Sequence, residues 1–179
     1  MPTPFYHIAI AEDIIIDSRL SNLASDCLSH NCSEFLFGNV APDCQTLSHN
    51  SRHSTHFYSV DDVGNEVAYS RMLTKYRGLS DVNVLSDHHS SFIAGYLSHL
   101  LVDQSWKMTI FDPVFGKDRH WSNFSERMFL HNVLRIYLDD ISYKGLSSDI
   151  YNKFQLDLFS TEWLPFVSNV ELYHWYNFI

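Results

Sequence analysis

Residues 86–106 read as one long apolar helix that carries a histidine and a carboxylate on its buried side. His99 and Asp103 stand four residues apart, which at about 3.6 residues per turn offsets them by only about 40°. Phe92, Tyr96 and Trp106 recur on the same stripe, and Ile93, Leu97, Leu100 and Leu101 fill its flanks. A carboxylate on such a face has to be paired or has to bind a metal. The helix therefore demands partners from the rest of the chain. Taken alone, a buried His–Asp hydrogen bond would satisfy the demand equally well.

Composition narrows what those partners belong to. The chain has 179 residues, which predicts a single domain over 1–179 with a sizeable core. Only 6 Gly and 5 Pro are present, which favours helices over a turn-rich β fold. A net charge of −9 argues against stable nucleic-acid binding and against docking on strongly anionic membranes. The three cysteines, Cys27, Cys32 and Cys44, form no Cys-x-x-Cys pair. They read as reduced thiols of a cytoplasmic protein rather than a disulfide framework or a zinc knuckle. No secretory signal and no apolar run of membrane-spanning length is visible. Eleven histidines stand out, and histidine is the commonest metal ligand.

Along the chain every segment reads as helix or loop. Thr3 as N-cap and Pro4 at the first helical position open a helix expected to run towards Cys27, with His7 on the stripe of Ile10, Ala11 and Ile14. A short helix over about 33–37 stops at Gly38. An irregular stretch of about 20 residues follows, and loops of that length are usually functional. A helix over about 61–77, capped by Asp61 or Asp62, is expected next, then the 86–106 helix capped near Ser86. Asn123 and Glu126 stand three apart as in a capping box and open a helix to about Tyr143. Ser147 or Ser148 is expected to cap another through Phe159, and an aromatic helix to cover 169–178. The fold class is all-α, with about six to eight helices.

The histidines and acids on apolar faces or in the long loop are His7, Asp43, His56, His99 and Asp103. Three imidazoles with two carboxylates suit zinc, with iron, manganese or nickel as substitutes. Five ligands exceed one tetrahedral site and would serve a metal pair with one bridging carboxylate, the arrangement used in phosphoester hydrolysis. Each residue also has a plainer reading: His7 as a core histidine on a carbonyl, Asp43 as a turn-forming residue after Pro42, His56 as a loop histidine with His53 as its substitute. His88 and His89 read as helix-end surface residues or as extra contacts. His49, His120 and His131 read as surface or core. Arg52 reads either as a contact to substrate phosphate or as the partner of a local carboxylate. Lys107 suits the C-terminal dipole of the 86–106 helix. Trp163, Phe166 and the 173–176 tail read as core or as the wall of an apolar substrate pocket.

A resemblance adds to this. His7-Ile8-Ala9, Phe37-Gly38-Asn39-Val40-Ala41-Pro42-Asp43, Arg52-His53-Ser54-Thr55-His56-Phe57 and Gly95-Tyr96-Leu97-Ser98-His99-Leu100-Leu101-Val102-Asp103 resemble, in order, the motifs of the zinc-dependent phospholipase C family. The wider superfamily includes single-strand-specific nucleases with the same all-helical fold. The resemblance spans His7 to about Trp106 and implies that Asp43, His56, His99 and Asp103 bind one zinc. It implies that His7 binds a second zinc, with Asp103 bridging. It further implies that metal-bound water attacks phosphorus and that Asp43 acts as general base. The chain departs from the family in three places. It begins Met1-Pro2-Thr3, where secreted members ligate metal through a mature N-terminal tryptophan. Thr109 stands where a third zinc would need a histidine. Phe124 and Arg135 follow His120 and His131 where a His-x-x-x-Glu pair would need a glutamate. One or two ions are therefore expected, without a third and without an added lipid-binding β-domain. The expected function is a metal-dependent phosphodiester hydrolase of the phospholipase C type with a phosphoester or phospholipid substrate. The alternatives are a nucleotide phosphodiesterase or nuclease, and a metal-binding protein of the same fold without turnover.

Overall fold

A computed structural model describes residues 2–48, 50–59, 67–81 and 83–179. Among them the fold is all-α, and the one β-type pairing is an isolated bridge between Leu164 and Val167. In chain order the helices are α1 (Pro4–Ile15), α2 (Asn22–His30), α3 (Cys32–Gly38), α4 (Gln45–Ser48), α5 (Arg52–His56), α6 (Ala68–Lys75), α7 (Asp87–Trp106), α8 (Asp112–Phe115), α9 (Phe124–Gly145), α10 (Ile150–Lys153) and α11 (Asn169–Phe178). A 3₁₀ turn covers Ala41–Cys44, and a π-helical segment, Lys107–Phe111, extends α7.

The centre of the molecule is α7 with α3 packed along it. The two backbones approach so closely that a Cβ on Gly95 would lie 2.2 Å from the Phe35 carbonyl oxygen, and one on Gly38 2.1 Å from that of Phe92. Phe35, Leu36, Phe37, Phe92, Tyr96 and Leu100 fill the space around this contact. Trp163, Leu172 and Trp175 are core residues, so the aromatic C-terminal region closes the core here rather than lining a cleft at the His–Asp pair.

The caps show why these helices start where they do. Ser86 accepts from His89 N–H at the head of α7, and Asn123 from Glu126 N–H at the head of α9. Glu126 reaches back to Ser122 N–H rather than to the cap residue itself. Ser168 and Glu171 make a full capping box on α11. Thr3 occupies the N-cap of α1 as expected, but its side chain makes no capping bond.

Four boundaries differ from the expectations. The first helix ends at Ile15, and Ser21 starts a new one, because its side chain caps Ala24 N–H. The stretch after Gly38 is not an open loop but a 3₁₀ turn and two short helices. The described part of the next helix starts at Ala68, after extended Val67, and the expected Asp61 or Asp62 cap lies outside the described residues. The helix after Ser147 is only Ile150–Lys153. Ser147 spends its backbone N–H on Glu12 of α1, 3.0 Å away, rather than capping.

Candidate metal centre

Four elements bring the five chemistry-bearing side chains together. His7 comes from the inner face of α1, Asp43 from the 3₁₀ turn, His56 from the end of α5, and His99 and Asp103 from the buried stripe of α7. The side chains of His7, His56, His99 and Asp103 are fully buried, whereas Asp43 keeps 20% of its surface exposed. The 3₁₀ turn is fixed from outside by Trp175 of α11, whose indole N–H donates to the Val40 carbonyl at 2.8 Å. Past His56 the chain turns through left-handed Phe57 (φ 57°), a conformation costing a non-glycine residue about 1–2 kcal/mol. The Phe57 ring is buried against Phe166, with ring centroids 5.1 Å apart, and this packing offsets the cost.

The donor atoms converge. His56 Nε2 lies 3.2 Å from His99 Nε2, 3.3 Å from Asp43 Oδ1 and 3.5 Å from Asp103 Oδ2. His99 Nε2 lies 3.6 Å from Asp103 Oδ2 and 4.0 Å from Asp43 Oδ1. His7 Nε2 stands 3.6 Å from the other oxygen, Asp103 Oδ1, and the His7 and His99 rings stack at 3.8 Å. Two donors bonded to one zinc at about 2.0–2.1 Å, at a tetrahedral angle, sit about 3.3 Å apart. The separations cluster around that value. Two overlapping triads have the spacing of metal ligands: His7, His99 and Asp103, and Asp43, His56 and His99.

Hydrogen bonding sets which ring nitrogens face inward. His99 Nδ1 lies 2.7 Å from the Asn39 carbonyl, which can only accept, so Nδ1 carries the proton. Thr55 Oγ1 donates to the Arg52 carbonyl and lies 2.9 Å from His56 Nδ1, which donates to it in turn. In the neutral rings both Nε2 atoms then present lone pairs to each other and to two carboxylates. Such a focus of lone pairs calls for a cation at its centre. Among the described residues, both ring nitrogens of His7 and Oδ1 of Asp103 are buried without a hydrogen-bond partner. Unmet groups of this kind carry a desolvation cost that a bound ion removes.

The ionisation pattern fits the same picture. Burial drives His56 down to about 4 and also lowers His7, with the charge of His99 adding to the effect. For His99 burial is outweighed by Asp103, and its pKa rises. For Asp103 burial is outweighed by His99 and His7, which hold the carboxyl well below its ordinary range. Asp43 is held low by His56 and His99 against the same opposing burial. In the absence of metal, the carboxylates of Asp103 and Asp43 thus favour the protonated form of His99.

The other flagged residues fall outside the cluster. His53 points to solvent. His88 pairs with Glu34 at 2.7 Å, and His89 donates to the Trp163 carbonyl. His131 accepts from the Trp106 indole, His120 is exposed, and His49 lies outside the described residues. Lys107 pairs with Asp112 at 2.7 Å. Thr109 is exposed and bonds to the Ser105 carbonyl, away from the cluster. Arg52 is the exception, since one Nη of its guanidinium binds the cluster carboxylate Asp103 at Oδ2. Sequence reasoning missed three participants: Tyr58, whose hydroxyl reaches Asp103 Oδ2 at 3.4 Å, and the positioning groups Thr55 and the Asn39 carbonyl. The first two lie beside His56, and proximity to that histidine was the one available signal. A backbone acceptor carries none.

An all-helical protein gathered around a buried histidine–carboxylate cluster is the class that this fold and site define. The chain belongs to the zinc-dependent phospholipase C family, whose family model matches residues 3–167. No curated protein and no solved structure matches it.

Proposed function

We propose that the protein is a zinc-dependent phosphodiester hydrolase in which His7, Asp43, His56, His99 and Asp103 hold one or two ions. The observation that carries this reading is the convergence of His56, His99, Asp43 and Asp103 donor atoms at single-ion spacing. Asp103 would contribute an oxygen to each side of the cluster, because Oδ1 faces His7 while Oδ2 faces His56 and His99. Bound zinc supplies Lewis acidity at phosphorus and lowers the pKa of a coordinated water to about 7. Asp43 is the one side chain of the five with exposed surface, so substrate and water reach the cluster past it. Its carboxylate is ionised at neutral pH and accepts the proton of the attacking water. Asn39 and Thr55 keep the imidazole Nε2 atoms directed inward. The substrate is a phosphoester, with a phospholipid favoured by the family.

Metal analysis of the purified protein, followed by an assay on a chromogenic phosphodiester, tests this. One or two zinc ions per chain are expected, with turnover, and H99A with intact helical circular dichroism should lose both. Bound metal without turnover on any phosphoester would sink the enzyme reading. A wild-type protein that takes up no metal would sink the site. Phosphatidylcholine compared with linear and cyclic nucleotides separates lipid from nucleotide substrates.

A further inference from the structure

Helix α9 carries an arginine, Arg135, whose buried Nε has no acceptor among the described residues. His131, Arg135 and Asp139 recur every four residues and so share one stripe of the helix. The stripe is anchored on both sides of Arg135. His131 accepts from the indole of Trp106, one turn beyond Asp103, and Asp139 accepts from the backbone N–H of Tyr6, next to His7. These two bonds hold the stripe that carries Arg135 against α7 and α1, the helices that bear Asp103 and His7. One Arg135 Nη donates to Asn132 on its own helix, but Nε is buried with no acceptor among the described residues. Arg52 repeats the pattern. Its Nη2 is on Asp103, its guanidinium lies 5.4 Å from the Tyr58 ring centre, and its Nη1 is buried with no acceptor among the described residues.

We propose that Arg52 and Arg135 form an anion clamp at the metal centre that grips the non-bridging oxygens of a phosphoryl group. The chemistry is specific to that ligand. Guanidinium stays protonated at any working pH, and its planar fork matches the spacing of phosphate oxygens. A buried N–H without an acceptor costs free energy that a bound oxyanion returns. The unmet donors come from two separate elements, α5 and α9, so a phosphoryl group that both grip is held by two helices at once. Arg52 also leaves Asp103 partly neutralised until a metal competes for the same oxygen. The inference rests on the proposed hydrolase reading and assigns its substrate's recognition element.

Titration calorimetry with inorganic phosphate tests the clamp on the full chain, zinc-loaded and metal-free, with wild type, R135Q and R135K. Arg135 is the residue to change because it contacts none of the proposed ligands. R135Q should keep the wild-type zinc content and lose about 10- to 100-fold in phosphate affinity, the loss expected for charged hydrogen bonds. R135K should recover part of it. Equal phosphate affinity in wild type and R135Q, or no phosphate binding by wild type in either metal state, overturns the clamp. Failure to take up zinc overturns the hydrolase reading instead, while an Arg135-dependent phosphate affinity in the metal-free chain still upholds the clamp.

Discussion

At the scale of single residues, the site depends on groups that touch no substrate. A histidine ligates through the nitrogen that its other nitrogen leaves unprotonated, so the Thr55 hydroxyl decides what His56 offers. The change T55V keeps the shape of this buried residue and removes that acceptor. Zinc affinity should fall about 10- to 100-fold, as for other lost outer partners of a ligating histidine, with the helical content unchanged. Unchanged zinc affinity would show that the tautomer is set elsewhere. The backbone partner of His99 cannot be removed in this way, and its position depends instead on how α3 meets α7.

At the scale of elements, that meeting is set by two glycines. A methyl group on Gly95 would land on backbone atoms of α3, the Phe35 carbonyl and Asn39 N–H, and backbone cannot step aside as a flexible side chain can. G95A should therefore destabilise the protein by about 1–3 kcal/mol, the usual cost of overpacking. It should also weaken zinc binding, because pushing α3 outward moves the Asn39 carbonyl that orients His99. Denaturant unfolding with and without zinc reads both effects, and a G95A protein as stable as wild type would contradict the packing argument. α7 was legible in the sequence from cap to last turn because its signals are local: Ser86 at the start and an apolar stripe along its length. The break between α1 and α2 was missed because apolar periodicity continues across residues 16–21. The short helix after Ser147 was over-extended because a long-range bond to Glu12 competes with the cap.

At the scale of the whole molecule, buried imidazoles make the metal-free fold sensitive to acid. His56 and His131 are both held near 4 by burial, against an ordinary value of 6.5. Above pH 6.5 both are neutral in either state. As pH falls from 6.5 towards 4 the unfolded chain takes up protons that the folded chain refuses, so stability drops by up to about 1.4 kcal/mol per pH unit per histidine. His99, whose pKa is raised, works in the opposite direction. The clean measurement is therefore a difference. H131Q, which keeps an acceptor for Trp106, should show a smaller loss of Tm than wild type between pH 6.5 and 4, and parallel curves would refute the assignment. Protons compete with zinc for the ligating imidazoles and carboxylates, so zinc-induced stabilisation should weaken as pH falls. At neutral pH an ion at 100 times its Kd should add about 2.7 kcal/mol, lost on chelation.

The chain's own order of residues determined the all-α class and the stripe carrying His99 and Asp103. It also named the five candidate ligands. All of this follows from periodicity, capping chemistry and short motifs, which act between near neighbours. Only the tertiary structure decided that His56 rather than His53 turns inward, that Asp103 gives one oxygen to each side of the cluster, and that Arg52 sits on that carboxylate. It alone brought the stripe of α9 that carries Arg135 against the helices that bear His7 and Asp103. The physical reason is distance along the chain. His7 and Asp103 are nearly a hundred residues apart, and their meeting is settled by which helix faces bury together, a property of the packed core that no local pattern contains.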